Sequence, residues 1–366
     1  MNSSSPLPCL FLIPTGIGCE VGGYAGDAIP YARLLAAATG CLITHPNVMN
    51  GASLFWNDER IQYVEGYSID RFVGGEFYLR PVRKQRVGIL LDAALEPELR
   101  ERHLQAVDGC RATLGLDIGP VVTTESPLEI TLSTASSGSS WGGISNLSPL
   151  LRAGDRLKEN GATAIAIVTR FPDDLGSKEL DAYRQGRGVD SIAGAEAVIS
   201  HLLVRHLCIP CAHAPAVSPL PLEDCLDPRV AGEELGYTFL PCVLVGLSRS
   251  PDLITKDFLP KITNISQSDL IGVEHLGALV VPKGALGGEA VLGCIERNIP
   301  LIVVANSGVL KVDLDSLGLK SNLEVIGSRQ IYSAKTYIEA AGILMALREG
   351  IAINSLNRPI HKVEKI

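Results

Sequence analysis

Cys9-Leu10-Phe11-Leu12-Ile13-Pro14 is a short aliphatic run that breaks into Thr15-Gly16-Ile17-Gly18 and then Gly22-Gly23-Tyr24-Ala25-Gly26-Asp27. Such a run reads as a strand, and the glycines behind it as a tight loop. Asp27 stands where a helix N-cap would stand. Residues 28–39 follow with helical character, and Pro30 falls in the first turn, where proline is tolerated. Gly40 stops that helix, and residues 41–45 form a second aliphatic run closing on His45-Pro46-Asn47. Strand, glycine loop, helix, strand is a βαβ unit, which implies a parallel pair.

The alternation continues outward from this unit. Aliphatic runs at 87–92, 163–168, 207–213, 241–246, 277–282 and 300–305 predict strands. Residues 96–114, 146–160, 192–206, 289–298 and 332–348 predict helices; in the first of these Leu99, His103, Val107 and Leu114 recur at roughly helical spacing. No repeat of 20–50 residues is visible. The expected fold is α/β: a mostly parallel sheet with helices on both faces, built from Rossmann-like βαβ units in two lobes. The stretch 131–144 is rich in serine and glycine and buries little apolar surface. It predicts a linker or flap between an N-terminal lobe, 1–130, and a C-terminal lobe, 145–366, with one compact unit as the alternative.

Composition narrows the function classes. The 366 residues exceed one average domain. Forty acidic residues against 32 basic give a net charge of −8, which argues against a nucleic-acid partner. A hydrophobic content of 46% excludes a wholly disordered chain. No uninterrupted apolar segment reaches the ~18 residues of a membrane span. The start lacks the basic region and cleavage pattern of a signal peptide. A cytoplasmic protein without a membrane partner is expected. Nine cysteines, several inside aliphatic runs, predict free thiols in a reducing compartment. Cys208-Ile209-Pro210-Cys211-Ala212-His213 matches no common structural zinc spacing.

In open α/β sheets, ligands bind beyond the carboxyl ends of the strands. The polar groups there are Thr15, Gly16 and Gly18, then His45 and Asn47, then Asp92. Further along come Arg170 with Asp173 and Asp174, His213, Lys283 with Gly287 and Gly288, and Asn306. Glycines at 16, 18 and 22 let backbone N–H groups approach an anion. A dinucleotide site also wants an acidic residue at the end of the second strand, where His45 stands instead. Asp27 adds negative charge where a pyrophosphate would lie, so the reading is against a dinucleotide. The loop from Lys283 to Glu289 lies between strand and helix but lacks the Gly-Lys-Ser/Thr ending of a P-loop, leaving Lys283 as a point charge. No Gly-x-Ser-x-Gly exists. The charged cluster Glu65, Asp70, Arg71 and Glu76 around Gly74-Gly75 reads as a solvated surface or an internal ion pair.

These stretches together resemble a full-length family of unknown function found in cyanobacteria and plant plastids. The resemblance rests on Ile13-Pro14-Thr15-Gly16-Ile17-Gly18, Gly22-Gly23-Tyr24-Ala25-Gly26-Asp27, Leu42-Ile43-Thr44-His45-Pro46-Asn47 and Tyr63-Val64-Glu65-Gly66. It rests also on Ala212-His213-Ala214-Pro215, Tyr237-Thr238-Phe239-Leu240-Pro241-Cys242 and Val281-Pro282-Lys283-Gly284. It implies a photosynthetic, intracellular source, with the stroma as the site of plant relatives, and carries no activity.

The expected function is an enzyme acting on a small anionic metabolite, carboxylated or phosphorylated. His45 is the expected general acid/base and His213 a second proton carrier or ligand, since imidazole titrates near neutrality. Thr15, Gly16, Gly18, Asn47, Arg170, Lys283, Gly287, Gly288 and Asn306 form the expected anion cradle. Asp27, Asp92, Asp173 and Asp174 are further candidates. Two alternatives stay open: a ligand-binding or regulatory protein without turnover, and a metal-dependent hydrolase using His45, His213 and Asp173 or Asp174. No motif selects a reaction class or an oligomeric state, and homo-oligomers stay open.

Overall fold

In the computed structural model the opening βαβ unit forms where its apolar runs and glycines place it. The structure describes residues 5–51, 56, 58–136, 138–174, 176–235, 238–261, 269–307, 311–318, 330–360 and 362. The chain runs β1 (Leu7–Phe11), α1 (Ile29–Thr39), β2 (Gly40–Thr44), α2 (Pro46–Met49), β3 (Ile61–Tyr63), α3 (Gly66–Val73) and β4 (Phe77–Arg80). Next come β5 (Val87–Leu91), α4 (Pro97–Leu114), β6 (Ile118–Thr123), β7 (Ile130–Thr134), β8 (Ser140–Ile144), α5 (Leu147–Glu159) and β9 (Ala164–Arg170). Beyond them lie α6 (Lys178–Arg184), α7 (Ala193–Leu207), β10 (Cys211–Ala216), α8 (Ala231–Glu234), α9 (Leu240–Leu247) and β11 (Asp252–Thr255). The last elements are β12 (Ala278–Pro282), α10 (Glu289–Glu296), β13 (Leu301–Val304), β14 (Ile331–Ala334), α11 (Tyr337–Arg348) and α12 (Ile353–Leu356).

Two parallel sheets result, not one. The larger has the order β14-β13-β12-β1-β2-β3 and the smaller β10-β9-β5-β6. In the larger sheet Cys9 pairs with Leu42 on one side and Ala278 on the other. Its central strands are buried on both faces, which is why they read as continuous aliphatic runs. Cys9 and Phe11 face the core that holds α1 and α11, where the Phe11 and Tyr337 rings meet edge-on at 5.4 Å. Leu10 points the other way, into a second core with Ile69, Phe72 and Ala290 from α3 and α10. Each core continues beneath the smaller sheet: the first through α4 and α9, the second through α5 and α7. Helices therefore cover both faces, as the α/β expectation required.

The expected division at 131–144 does not coincide with the sheets. β1–β3 pair with β12–β14, and β5 and β6 with β9 and β10, so each sheet takes strands from both sides of it. The stretch itself lies in an antiparallel hairpin of β7 and β8. Residues 241–246 are helical, within α9, instead of a strand. A six-residue apolar run carries no period to tell the two apart, and here Pro241 lies in the helix's first turn, with Thr238 Oγ1 accepting from the Leu240 N–H at 3.1 Å. Residues 332–334 belong to β14, and the last helix begins only at Tyr337, with Thr336 as its cap. Ser137 of the serine-rich stretch and Tyr237 of the family-like stretch lie outside the described residues.

The hairpin packs against the start of α7 at glycine contacts. A Cβ on Gly194 would lie 2.3 Å from the Ser140 carbonyl oxygen, and one on Gly142 would lie 2.6 Å from the Ala195 Cβ. Alanine for glycine in a helix normally gains about 1 kcal/mol. Gly194→Ala is expected to reverse that sign and destabilise by about 1–3 kcal/mol, because backbone on the hairpin must move. Urea unfolding decides it: a stabilised variant would rule out this close contact.

Candidate functional site

A cavity of about 590 Å³ opens where the carboxyl ends of the two sheets meet. Thr15 and Gly16 follow β1, His45 and Asn47 follow β2, and Glu65 follows β3; all line it. From the smaller sheet come Asp173 and Asp174 beyond β9 and His213 on β10. One face of α7, including Glu196, Ser200 and His201, forms a wall. The opposite face of that helix buries Ile199, Leu203 and Val204 in the core, which fixes the polar face toward the cavity. Leucines 220, 222, 226 and 235 supply an apolar rim.

Glu65 is held in the cavity wall by backbone and side chain together. It caps α3, its two oxygens accepting from the N–H groups of Tyr67 at 3.1 Å and Ser68 at 3.2 Å. Its Oε1 also meets His201 Nε2 at 2.8 Å. Burial disfavours the charged imidazole of His201, but the hydrogen bond to Glu65 and the charges of Glu65 and Asp70 outweigh it and raise its pKa above the ordinary value. His45 moves the opposite way. Burial first, then the neighbouring His201, push it down to about 4. Its Nε2 accepts the Ile13 N–H at 3.1 Å, so the proton of the neutral ring sits on Nδ1. At neutral pH His45 is therefore an uncharged ring that offers its Nδ1–H as a hydrogen-bond donor.

His213 has both nitrogens engaged. Nδ1 meets Glu196 Oε1 at 3.2 Å and Nε2 meets the Thr169 hydroxyl in a short contact, while the ring lies edge-on to Phe171 at 5.2 Å. Carboxylate, imidazole and hydroxyl in a row have the connectivity of a nucleophilic triad. Thr169, however, is 0% exposed and does not line the cavity, so no substrate reaches it. Glu196 and His213 both line the cavity, and the contact between them holds the carboxylate in place.

Carboxylates dominate the remaining wall. Glu233 accepts from the Ala25 N–H at 2.7 Å and from the Tyr183 hydroxyl. Burial pushes Glu233 up to about 7, against the pull of those hydrogen bonds. Burial and the charges of Glu196 and Glu233 also raise Asp190 far above the carboxylate range. Arg184 is held by both oxygens of Glu234 at 2.6 and 2.8 Å.

The expected anion cradle does not assemble. Lys283, Gly287, Gly288 and Asn306 follow β12 and β13, beyond β1 from the cavity, and none lines it; Gly18 does not either. Arg170 is spent on Glu96 at 3.0 Å and on Asp173 at 2.7 Å, which holds the Asp173 carboxyl well below its usual range. Asp92 is fully buried and accepts from the N–H groups of Ala94, Leu128 and Arg170. Asp27 is not the cap of α1, which is Ala28; it accepts the Gly22 N–H at 2.9 Å and burial raises it to about 6. The loop's amides are thus used by the protein: Gly22 by Asp27, Ala25 by Glu233, Glu20 by Asn306. Among the described residues no three His, Cys, Asp or Glu side chains stand close enough to hold a metal ion, so His45, His213 and Asp173 or Asp174 do not form the expected ligand set.

Glu65, Glu196, His201, Asp190 and Glu233 were not among the expected site residues. Two signals point to three of them, Glu65, Glu196 and His201. Glu65-Gly66 stands between a strand and an amphipathic helix, the position of a cap. Over the first three turns of α7, which are otherwise apolar, Glu196, Ser200 and His201 are the polar face.

The family described as "Protein of unknown function (DUF3326)" matches residues 8–357, and the chain belongs to it. An uncharacterized lipoprotein of Synechococcus sp. is 49% identical over 346 residues, covering 94% of this chain and 92% of that protein. No solved structure matches. No helix among the described residues is long and apolar enough to cross a membrane.

The depressed His45 makes a pH test possible. Between about 6.5, where an unfolded histidine titrates, and the folded value of about 4, the unfolded state binds the extra proton. Stability therefore falls as pH drops through that window, by about 2 kcal/mol at about pH 5. Asp27 and Asp70, raised to about 6, and Glu233, raised to about 7, work in the opposite sense. His45→Gln removes only the first effect. Urea unfolding at about pH 7 and about pH 5 should show the variant losing less stability, or gaining more, on acidification than the parent. Equal differences in both proteins would mean that His45 is not held neutral.

Proposed function

We propose that this family member is an enzyme that moves protons on a small polar metabolite held in the cavity, with His201 and Glu196 as the exchanging groups. The carrying observation is the 2.8 Å contact between Glu65 Oε1 and His201 Nε2. It orients the ring and leaves Nδ1 without a partner among the described residues, in a side chain that lines the cavity and is 40% exposed. An imidazole braced by a carboxylate is a general acid/base whose second nitrogen meets the substrate. Raised above its ordinary pKa, His201 is suited to give a proton. Glu196 supplies the matching base through its second oxygen, and His213 is a positioning residue behind it. Neutral His45 adds an N–H donor. His201 as proton donor and Glu196 as proton acceptor line the same cavity. Such a pair serves reactions that remove one proton and return another: isomerisation, elimination, or hydrolysis by an activated water.

The same reading expects a reducing compartment, since seven of the nine cysteines are buried and pack as small apolar side chains. The Synechococcus relative carries the name lipoprotein. In this chain Cys9 is fully buried on β1, its side chain in the core with α1 and α11, which leaves no room for an acyl chain on it.

The purified protein, incubated with a metabolite extract and followed by mass spectrometry, should consume a discrete species. His201→Gln is expected to slow this by about 10²–10⁴-fold. Glu65→Gln should shift the alkaline limb of the rate profile to lower pH, since it lowers the pKa of the acid. Consumption unchanged in His201→Gln, or ligand retention with no consumption at any pH, would overturn the enzyme reading.

A further inference from the structure

We infer that the occupant of the cavity is a small organic cation, an ammonium or guanidinium compound carrying a hydrogen-bond acceptor, seated against Asp190 and Glu233 beside the Tyr24–Tyr183 pair. This rests on the cavity being the place of turnover and adds the class of substrate.

Charge balance is the first ground. Among the lining carboxylates, Glu65 faces His201, Glu196 faces His213, Asp173 faces Arg170, and Glu223 and Glu234 share Arg184. Four lining acids have no cationic partner among the described residues, Asp174, Glu179, Asp190 and Glu233; the last two bear on each other's charge, and their contacts are the Ile192 N–H for one, and the Ala25 N–H and Tyr183 hydroxyl for the other. No described lysine lines the cavity. Burial and mutual repulsion hold these two acids back from ionising together, and an entering cation would let both do so. The upward shifts of both acids agree with that.

The aromatic rings are the second ground. Tyr24 and Tyr183 line the cavity with ring centroids 5.0 Å apart, and the Arg229 guanidinium already stands 4.6 Å over the Tyr24 ring. Tyrosine faces beside carboxylates attract organic cations. The apolar leucine rim suits the carbon chain of such a compound and not a hydrated metal ion, and the described residues offer no metal-ligating group of three.

His45 is the third. It is 8% exposed and lines the cavity, its Nε2 is occupied by the Ile13 N–H, and its Nδ1–H has no partner among the described residues. A buried donor left open toward a cavity calls for an acceptor on the ligand. An anion would find few donors elsewhere, because the glycine-loop amides of Gly22 and Ala25 are taken by Asp27 and Glu233.

The test is calorimetric titration of the full chain with agmatine, 4-amino-1-butanol, butyrate, inorganic phosphate and magnesium chloride. Saturable binding of either amine is expected, weakened about tenfold or more in the double variant Asp190→Asn, Glu233→Gln. Each substitution keeps one acceptor oxygen, which is all that the contacts to Ile192, Ala25 and Tyr183 use, so the unliganded variant should melt at or near the parent temperature. Lost binding is then not lost folding. No heat with either amine, or tighter binding of butyrate or phosphate, overturns the inference, as does stoichiometric magnesium binding. If amines fail while His201→Gln still abolishes metabolite consumption, the substrate class alone is wrong. If an amine binds and nothing is consumed, the enzyme reading falls and the cation site stands.

Discussion

The hydrogen bond from the Ile13 N–H to His45 Nε2 ties the exit of β1 to the exit of β2. Much of the site leans on that tie. With the two strand ends joined, Asn47 reaches the carbonyls of Ile13 and Gly22, and Asp27 takes the Gly22 N–H. The glycine loop is thereby folded back on itself as a wall. Its Gly16 carbonyl accepts from the Ser140 N–H at 2.9 Å, and the Ser140 hydroxyl in turn accepts from the Gly194 N–H at the start of α7. Support thus passes from the first strand pair through a hairpin to the helix that carries Glu196 and His201.

Two sheets sharing two cores explain how residues far apart in sequence can be fixed to hydrogen-bonding distance. α3 and α7 pack against each other between the sheets. The first presents its N-terminal cap, Glu65, and the second presents His201. Neither group would hold its position on a loop, since a loop would supply neither the buried apolar backing nor the backbone amides that fix the carboxylate.

The fold was largely legible because buried parallel strands announce themselves as aliphatic runs and because Gly40 closes α1 in a left-handed conformation that glycine adopts freely. The second sheet was not legible, since nothing local says which strands will neighbour each other. Residues 241–246 misled because a helix buried all round looks like a buried strand. In the site, His45 and His213 were visible at strand ends, but their states depend on Ile13, Thr169 and Glu196, which only the tertiary structure delivers. Glu65 looked like one of several surface charges near Gly74-Gly75. Its burial is created by α7, which comes much later in the chain. The opposite error, with Lys283, arose because strand ends share one edge of a sheet without sharing one cavity.

The placement of β12 beside β1 also bears on synthesis. The chain leaves the larger sheet after β3 and returns only at residue 278. Until then β1 is an open edge, a hydrophobic strand with one row of unpaired N–H and C=O groups. The smaller sheet, whose strands lie entirely between those two visits, can pair fully in the meantime. A nascent chain on the ribosome therefore carries one finished sheet and one unfinished half, and the unfinished half is the one that bears the glycine loop and His45. Domains generally fold as units as they emerge, and exposed edges are where partly made chains associate. For this protein the hazardous interval spans most of translation, and it ends when β12 docks against β1.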